Sequence, residues 1–375
     1  MNVMVKKIFA VFMSAFLLFG CAACNNSTNK PDNLDETEEP NEEMGISILG
    51  DKKFRKGLLV RGLGKPIYGD DIETFGTDAY NPMVRFDYGN ADLMPQWHLA
   101  QWASRYPFHD KQNTTYEIKN GQKTFNYRFT EVERNHYLYE NQSKTFEVNT
   151  RTGEYRLALK ASECYHSDRV AYQEWPHLLL EQDLCTPSGL NAACKISDSK
   201  TIRVKIDAKI NEFVDHMGDR ADYGLHSAMC LFYLYVANYD ETARNFTDML
   251  WFGIPIFDNR YVFSEEASFP DAGSKESATD KWIFNISSSA FFQPDYNLYD
   301  EAGKILLNTW RTVDVELTDL IRRAFNAAQE AGYMKDSKWD NLYINGMYTG
   351  YELPGTYDID MSFKNIDIVV EKETE

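Results

Sequence analysis

Apolar and polar residues alternate through much of the chain, and this pattern predicts β-strands. Residues 155–161 alternate behind the turn 150–153, and Ile202, Val204 and Ile206 alternate with charged neighbours. Successive side chains of a strand point to opposite faces, so such segments are typical of strands with one buried face. Residues 228–236 form a continuous apolar run instead, which predicts a central strand covered on both faces.

Further strands are predicted toward the C-terminus. Residues 249–257 and 281–286 continue the apolar pattern, and 357–370 alternate as one long strand or a bent pair. Between them, Asn345-Gly346 separates 342–344 from 347–348. Asn-Gly is the favoured dipeptide of a two-residue turn, so a tight hairpin is expected there.

One helix is predicted, over residues 313–331. Its apolar stripe ends at Gly332 and consists of Leu317, Leu320, Ile321, Ala324, Phe325 and Ala328. Many strands with a single helix indicate a mostly β fold, an antiparallel jelly-roll β-sandwich. We assign the sandwich to residues 125–375. Residues 44–124, rich in Gly, Pro and aromatic residues, are expected to be an arm or loops packed on it, with a strand near 58–61.

The N-terminus has the pattern of an export signal. Lys6 and Lys7 precede the apolar stretch 8–19, which is too short to remain as a membrane-spanning helix. Leu18-Phe19-Gly20-Cys21 resembles the lipobox of bacterial lipoproteins. The resemblance implies a signal peptide over 1–20 and a lipid anchor on Cys21, with acyl chains such as palmitate.

Two alternatives to this anchor remain open. Cys24 follows Ala22-Ala23 and could carry the lipid instead, or an ordinary signal peptide could be cleaved after Ala23. Residues 21–43 are polar and acidic, which predicts a disordered tether. This tether resembles the acidic stretch after the anchor of surface lipoproteins of Bacteroidetes, which implies an outer-membrane protein facing the cell exterior. A spacer on the periplasmic side is the alternative.

The charge and the aromatic content of the chain limit the kinds of ligand that it is expected to bind. The formal net charge of -18 argues against nucleic acid, and it also argues against highly sulfated or uronate-rich glycans. The only membrane contact expected is through the lipid anchor. Aromatic residues make up 14% of the chain, with 23 Tyr and 7 Trp, a content that suits sandwich cores and sugar-stacking platforms equally.

A family resemblance adds to this interpretation. The segments 175–182 (WPHLLLEQ), 204–207 (VKID) and 251–255 (WFGIP) followed by 258–260 (DNR) resemble jelly-roll sandwiches of the concanavalin A-like lectin and glucanase type. The likeness covers about residues 125–370 and implies this fold and contact with glycans. The Glu-x-Asp-x-x-Glu strand of its glucanases is missing, as are the Arg-rich and Gln-x-His strands of its alginate lyases.

Sugar binding needs aromatic faces flanked by groups that hydrogen-bond hydroxyls. Three groupings provide this: Trp175 with His177, Trp251 with Asp258 and Arg260, and the segment around Gly350 that contains Glu352. The glycan-binding candidates are Trp175, His177, Trp251, Asp258, Arg260, Trp282, Tyr348 and Tyr351. Aromatic residues of this kind are nonetheless more often core residues than sugar platforms.

Catalysis requires other groups. Glu181 and Asp183 lie two residues apart, so a strand would direct both to one face, as glycoside hydrolysis by a carboxyl pair requires. A lyase would need a base near a tyrosine or histidine, for which His226, with His177, Tyr172 and Arg169, is the candidate.

Cysteine and acidic residues suggest two structural features. Cys185 and Cys194 enclose a short polar loop and could form a disulfide in an oxidising compartment, whereas Cys164 and Cys230 are expected to be buried thiols. Asp295, Asn297 and Asp300 form an oxygen-rich loop that could hold a structural calcium, and no other cofactor is expected.

The sequence favours a cell-surface glycan-binding lipoprotein that captures polysaccharide or host glycan. A glycoside hydrolase or polysaccharide lyase on the same scaffold is the first alternative. A structural or adhesive surface protein without a sugar site is the second.

Overall fold

The computed structural model describes most of the chain after the predicted tether. The described residues are 45–81, 83–86, 88, 92–108, 115–116, 125–126, 128–244, 246–274, 278–292 and 297–373. The predicted signal peptide, the tether with Cys21 and Cys24, and Asp295 of the predicted calcium loop lie outside these residues.

Strands make up most of the regular structure. In chain order they are β1 (Ile46–Ser47), β2 (Leu58–Val60), β3 (Val84–Phe86), β4 (Trp97–Ala100), β5 (Thr115–Tyr116), β6 (Phe125–Asn126), β7 (Arg128–Glu133), β8 (His136–Glu140), β9 (Lys144–Asn149), β10 (Glu154–Lys160), β11 (His177–Asp183), β12 (Ser199–Asp215), β13 (Met229–Asn238), β14 (Met249–Asp258), β15 (Ala267–Pro270), β16 (Trp282–Asn285), β17 (Arg311–Glu316), β18 (Leu342–Glu352) and β19 (Tyr357–Lys372). The α-helices are α1 (Gly69–Phe75) and α2 (Thr318–Glu330). Neither of these helices is long and apolar enough to span a membrane.

Two large sheets form a sandwich. The smaller has the order β17-β12-β19-β10-β9-β8-β7, with β1 beside β19, and the larger has the order β15-β16-β14-β13-β18-β11-β4-β2-β3. Neighbours are antiparallel except for β14 with β16 and β2 with β4. From β11 to β13, and again from β17 to β19, the chain alternates between the sheets. The predicted antiparallel jelly-roll sandwich is confirmed.

The inner faces of the two sheets share one apolar core. Leu180 and Phe232 of the larger sheet and Val204 and Met361 of the smaller are all fully buried in it. Burying a side chain of this size stabilises the fold by about 1.5–3 kcal/mol. The Tyr351 hydroxyl crosses the core and donates a 2.8 Å hydrogen bond to a carbonyl of β10. Because the inner face of the larger sheet packs in this core, its outer face is the one available for contact with a ligand.

The predicted helix is correct only in its second part. Residues 313–316 belong to β17, and α2 begins at Thr318. Val313 and Val315 are both buried and pair with β12. The alternation of buried and partly exposed residues therefore makes this part of the chain a strand, although its apolar residues also fit a helical stripe. From α2 onward the stripe is as expected, because Ile321 and Phe325 pack against the core.

The predicted hairpin at Asn345-Gly346 is wrong. Both residues lie inside the continuous strand β18, and the register with β13 shifts by one residue at this point. Such a β-bulge accommodates the same residue types as a turn. Here β11 pairs with β18 up to Gly346, and β13 continues to pair with it beyond the bulge, so the strand does not reverse.

The segment 44–124 contributes strands to the sandwich, which was not expected. The strand predicted near 58–61 is β2, but β2, β3 and β4 are all members of the larger sheet, with β4 paired to β11. The stretch from β2 to β4 therefore belongs to the sandwich and does not lie across it as an arm. The short helix α1 was not predicted.

Candidate functional site

A cleft of about 810 Å³ lies over the outer face of the larger sheet. Its floor is formed by outward-facing residues of β11, β13, β14, β16 and β18, and its walls by the loops beside them. The aromatic side chains that line it include Trp102, Trp175, Tyr233, Trp251, Tyr261 and Tyr348. A pocket of this size with mostly apolar walls and a few polar groups is typical of a small-ligand site.

Strand register brings the aromatic rings of the floor together. Tyr348 of β18 lies opposite Tyr233 of β13, with ring centroids 5.0 Å apart, and Trp251 lies 5.9 Å from Tyr348. Tyr233 in turn lies opposite Gly253 of β14, where a Cβ would come within 2.7 Å of the tyrosine ring. Glycine at this position lets the ring lie against the neighbouring strand, and it leaves room for Asn285 beyond.

Glu352 is the main charged group of the floor. Its carboxylate accepts hydrogen bonds from Trp175 Nε1 at 3.2 Å and from the Tyr348 hydroxyl at 3.0 Å, and His177 Nε2 lies 3.6 Å away. Burial by itself would raise the pKa of Glu352. The interactions with His177, Trp175 and Tyr348 outweigh it, and the pKa is lowered. Glu352 is therefore ionised at neutral pH and fixed in orientation.

Two buried polar atoms of the cleft have no hydrogen-bond partner among the described residues. They are Nδ1 of His177 and Oδ1 of Asn285. A buried polar atom that lacks a partner costs about 1–3 kcal/mol. Both atoms are closed off from solvent, so a ligand in the cleft directly reaches the partly exposed groups instead, Glu352 among them.

Carboxylates outnumber cations around the cleft. Its lining contains the acids Glu174, Asp258, Glu265, Glu266, Asp271 and Glu352, against the cations Lys65 and Arg260. The Lys65 ammonium lies 3.3 Å from Glu174, and the Arg260 guanidinium lies 2.7 Å from Asp258. A third acid, Glu266, lies 2.7 Å from Arg323, so three of the six acids remain without a basic partner of this kind among the described residues and make the field in the cleft negative.

The sequence candidates for sugar contact fall into two groups. Six of them line the cleft together: Trp175, His177, Trp251, Asp258, Arg260 and Tyr348. The other two do not. Trp282 points the opposite way from its neighbour Ile283, and its ring lies tilted against Tyr333 of the core side, with centroids 5.1 Å apart. Tyr351 is fully buried between the sheets. Both residues lie outside the cleft because each is one position out of phase with the cleft-facing residues of its strand.

The catalytic candidates Glu181 and Asp183 do share one face of β11, but neither lines the cleft. Glu181 is 5% exposed and lies opposite His98 of β4. Its Oε2 is 3.1 Å from Arg61 Nε, an ion pair without hydrogen-bond geometry. Burial raises the pKa of Glu181 to about 7, and Arg61 only partly opposes this. Asp183 is exposed at the strand end.

His226 is a structural residue. Its Nδ1 accepts a 3.0 Å hydrogen bond from the Asp222 amide, and its Nε2 lies 2.8 Å from the carbonyl oxygen of Arg169. Arg169 places its guanidinium 4.8 Å from the centre of the Trp175 ring, and Tyr172 lies outside the cleft. The predicted lyase grouping of His177, His226, Tyr172 and Arg169 is therefore not assembled in one place.

The four described cysteines are buried free thiols. Cys164 and Cys230 are as expected. Cys185 and Cys194 are close enough for their thiols to interact, as the loop predicted, but they do not form a disulfide in this structure.

The predicted calcium loop stays a prediction. Asn297 uses its amide for bonds to Val262 and Leu298, and Asp300 accepts from the backbone of Ala302 and Lys304. Among the described residues, the group whose ligand atoms lie within 4.8 Å of one another is Asp70, Asp71 and His166. In that group Asp71 is already paired with Arg105.

Three cleft residues, Tyr233, Asn285 and Trp102, were not predicted from the sequence. Tyr233 lies in the continuous apolar run 228–236, whose pattern does not distinguish one face of the strand from the other. For Asn285 and Trp102 no local pattern indicates the face, which depends on pairing with distant strands.

Solved structures with a detectable likeness to this chain include glycoside hydrolases. The endoglucanase Cel12A from Rhodothermus marinus is 10% identical, with a TM-score of 0.33 over 66% of this chain and 97% of the other. A family 12 xyloglucanase from Bacillus licheniformis is 12% identical, with a TM-score of 0.35 over 65% and 96%. The family 11 xylanase from Neocallimastix patriciarum is 10% identical, with a TM-score of 0.31 over 68% and 99%.

Identities and TM-scores this low carry no conclusion on what the chain binds or catalyses. No protein-family model matches the chain. No curated protein matches it either.

Proposed function

We propose that the cleft on the outer face of the larger sheet binds a glycan chain. The observation that carries this proposal is the combination of aromatic faces with fixed polar groups in one cleft: Trp175, Trp251 and Tyr348 beside the ionised Glu352. A sugar ring has apolar C–H faces and a rim of hydroxyl groups. The rings offer the C–H faces a contact surface, and the partly exposed carboxylate of Glu352 offers the hydroxyl groups a hydrogen-bond acceptor.

Hydrolysis of the glycan is a second candidate function, and the ionised state of Glu352 favours it. A glycosidase needs one ionised carboxylate and one carboxylic acid that holds its proton, both facing the scissile bond. Glu352 could supply the first. The carboxyl whose pKa is raised to about 7 is Glu181, and it does not line the cleft. Binding is therefore the simpler proposal.

The binding proposal is tested by affinity electrophoresis of the protein through gels that contain neutral polysaccharides. Trp251→Ala removes a cleft ring and is expected to weaken retardation by about tenfold or more. The matched control is Trp310→Ala. Trp310 is a half-buried tryptophan that stacks on Lys209 and Lys364 of the smaller sheet, so its loss should leave retardation unchanged. No retardation of the wild type by any polysaccharide would reject the proposal.

Catalysis is tested by product release from the polysaccharides that bind. If the cleft is also an active site, Glu352→Gln should abolish turnover while leaving retardation within a few fold, because the amide keeps the shape of the side chain. Glu181→Gln is expected to leave any turnover unchanged. Loss of turnover in Glu181→Gln would instead restore Glu181 as a catalytic residue.

We further propose that the chain is lipid-anchored through Cys21 and displayed on the outer membrane, where it would meet polysaccharides. The lipobox and the acidic tether support this location. Labelling of cells with a palmitate analogue should mark the wild-type protein and not the Cys21→Ala variant. Labelling that is lost only in Cys24→Ala would place the anchor at Cys24.

A further inference from the structure

A second, shallower pocket of about 270 Å³ adjoins the cleft. The two share Lys65 and Glu174 in their walls, so the pocket continues the cleft outward past Trp175. Its most exposed aromatic residue is Tyr172, which is 74% exposed. A single exposed aromatic side chain is common on protein surfaces. A contact site is therefore inferred from the pocket beside Tyr172 and from the backbone of its turn.

Hydrogen bonds at both ends stabilise the turn that contains Tyr172. The Gln173 amide donates to the Val170 carbonyl at 3.2 Å, and the Val170 amide donates to the Gln173 side chain at 3.1 Å. Nε of the buried Arg169 donates to the Gln173 carbonyl at 2.9 Å, and the same guanidinium lies over Trp175 in the cleft. Arg169 thus connects the turn directly to an aromatic wall of the cleft.

Tyr172 also has a strained backbone. Its φ of 66° lies in the left-handed region, which a bulky residue other than glycine adopts only when its surroundings impose it. Glycine would relieve this strain at the tip of a turn. A tyrosine that is both strained and exposed contributes little to the fold, so its ring is better explained by a contact with a ligand.

We propose that Tyr172 and this pocket form an outer glycan subsite, where the ring stacks on a sugar of the same chain that occupies the cleft. The inference rests on the proposed function and narrows it. The ligand would be a linear oligosaccharide or polysaccharide long enough to leave the cleft past Trp175, and shorter sugars would bind without using Tyr172.

The test uses a neutral polysaccharide that retards the wild type, partially hydrolysed with acid and separated by size. Titration calorimetry compares the shortest fraction that binds with a fraction several units longer. Tyr172→Ala is expected to weaken binding of the long fraction by about fivefold to tenfold and to leave the short fraction unchanged. Tyr172→Phe, which keeps the ring, should bind both fractions as the wild type does.

Tyr172→Gly separates binding from stability. It removes the ring and also the strain, so its melting temperature should equal or exceed that of the wild type while the long fraction binds as weakly as it does to Tyr172→Ala. Equal affinities of wild type and Tyr172→Ala for the long fraction would overturn the subsite, and so would an equal loss for both fractions. If no fraction binds the wild type, the proposed function itself fails.

Discussion

Glu352 and Glu181 project from neighbouring strands onto the same face of the larger sheet, but their surroundings shift their pKa values in opposite directions. Glu352 has three side chains that favour its charged form, and its pKa is lowered. Glu181 has one ion pair without hydrogen-bond geometry, and burial dominates. The position of a carboxyl group on the sheet therefore does not determine its charge, because the number of donors around it does.

Glu181 is expected to make the protein less stable as the pH rises. Its ordinary pKa is 4.5 and its folded pKa about 7, so between these values the folded state holds a proton that the unfolded state has lost. The free energy of unfolding should fall by about 3 kcal/mol over this window. Glu181→Gln cannot ionise and should remove the decline, as measured by urea denaturation between pH 4 and pH 8.

The control for this experiment is Asp183→Asn. Asp183 is exposed on the same face, and its charge adds to the rise in the pKa of Glu181, so this variant should keep the decline and move it slightly to lower pH. If the Gln variant follows the wild-type curve instead, Glu181 is ionised in the folded protein and its assignment as a protonated group is wrong.

At the level of the strands, glycine under an aromatic ring shapes the cleft floor. A Cβ at Gly253 would lie 2.0 Å from Asn285 Oδ1 and 2.7 Å from the Tyr233 ring. Gly253→Ala should therefore displace both side chains and weaken glycan binding by tenfold or more. The cost in stability should be only about 1–2 kcal/mol, because side chains and not backbone have to move. Calorimetry and thermal melting measure the two effects separately.

Gly69→Ala is the matched control, because a Cβ there meets nothing within 4 Å. It should leave binding unchanged and raise stability by at most about 1 kcal/mol, because alanine at a helical position restricts the unfolded chain. Unchanged binding in Gly253→Ala would show that Tyr233 and Asn285 do not contact the ligand.

The same strands show how far the sequence predicts the structure. The alternating segments 155–161 and 357–370 and the apolar run 228–236 became strands because their patterns match burial on one or both faces. Asn345-Gly346 was mistaken for a turn because the pairing of β18 with strands on both sides overrides the local preference.

The prediction of the site residues was also limited, because strand pairing decides which side chains face the cleft. Six cleft residues were found by chemical type, but whether Trp282 or Ile283 faces the cleft depends on the register of β16 with β14. Nothing near those residues in the sequence sets this register.

For the whole molecule, the acidic cleft predicts selectivity against anionic glycans. Two gels can be compared, one with a neutral polysaccharide and one with the same polymer oxidised so that its primary alcohols are carboxylates. The oxidised polymer should bind roughly tenfold more weakly at low salt, and the difference should shrink as salt screens the excess of carboxylates in the lining. Stronger binding of the oxidised polymer at low salt would contradict the charge argument.

The most direct test of the account is a crystal structure of the protein soaked with an oligosaccharide fraction that binds in solution. We expect a sugar chain in the cleft of the larger sheet, in contact with Trp175 and Trp251. One of its hydroxyl groups should lie within hydrogen-bonding distance of Glu352. A sugar chain bound on the smaller sheet or at the sandwich edge, with the cleft empty, would contradict it.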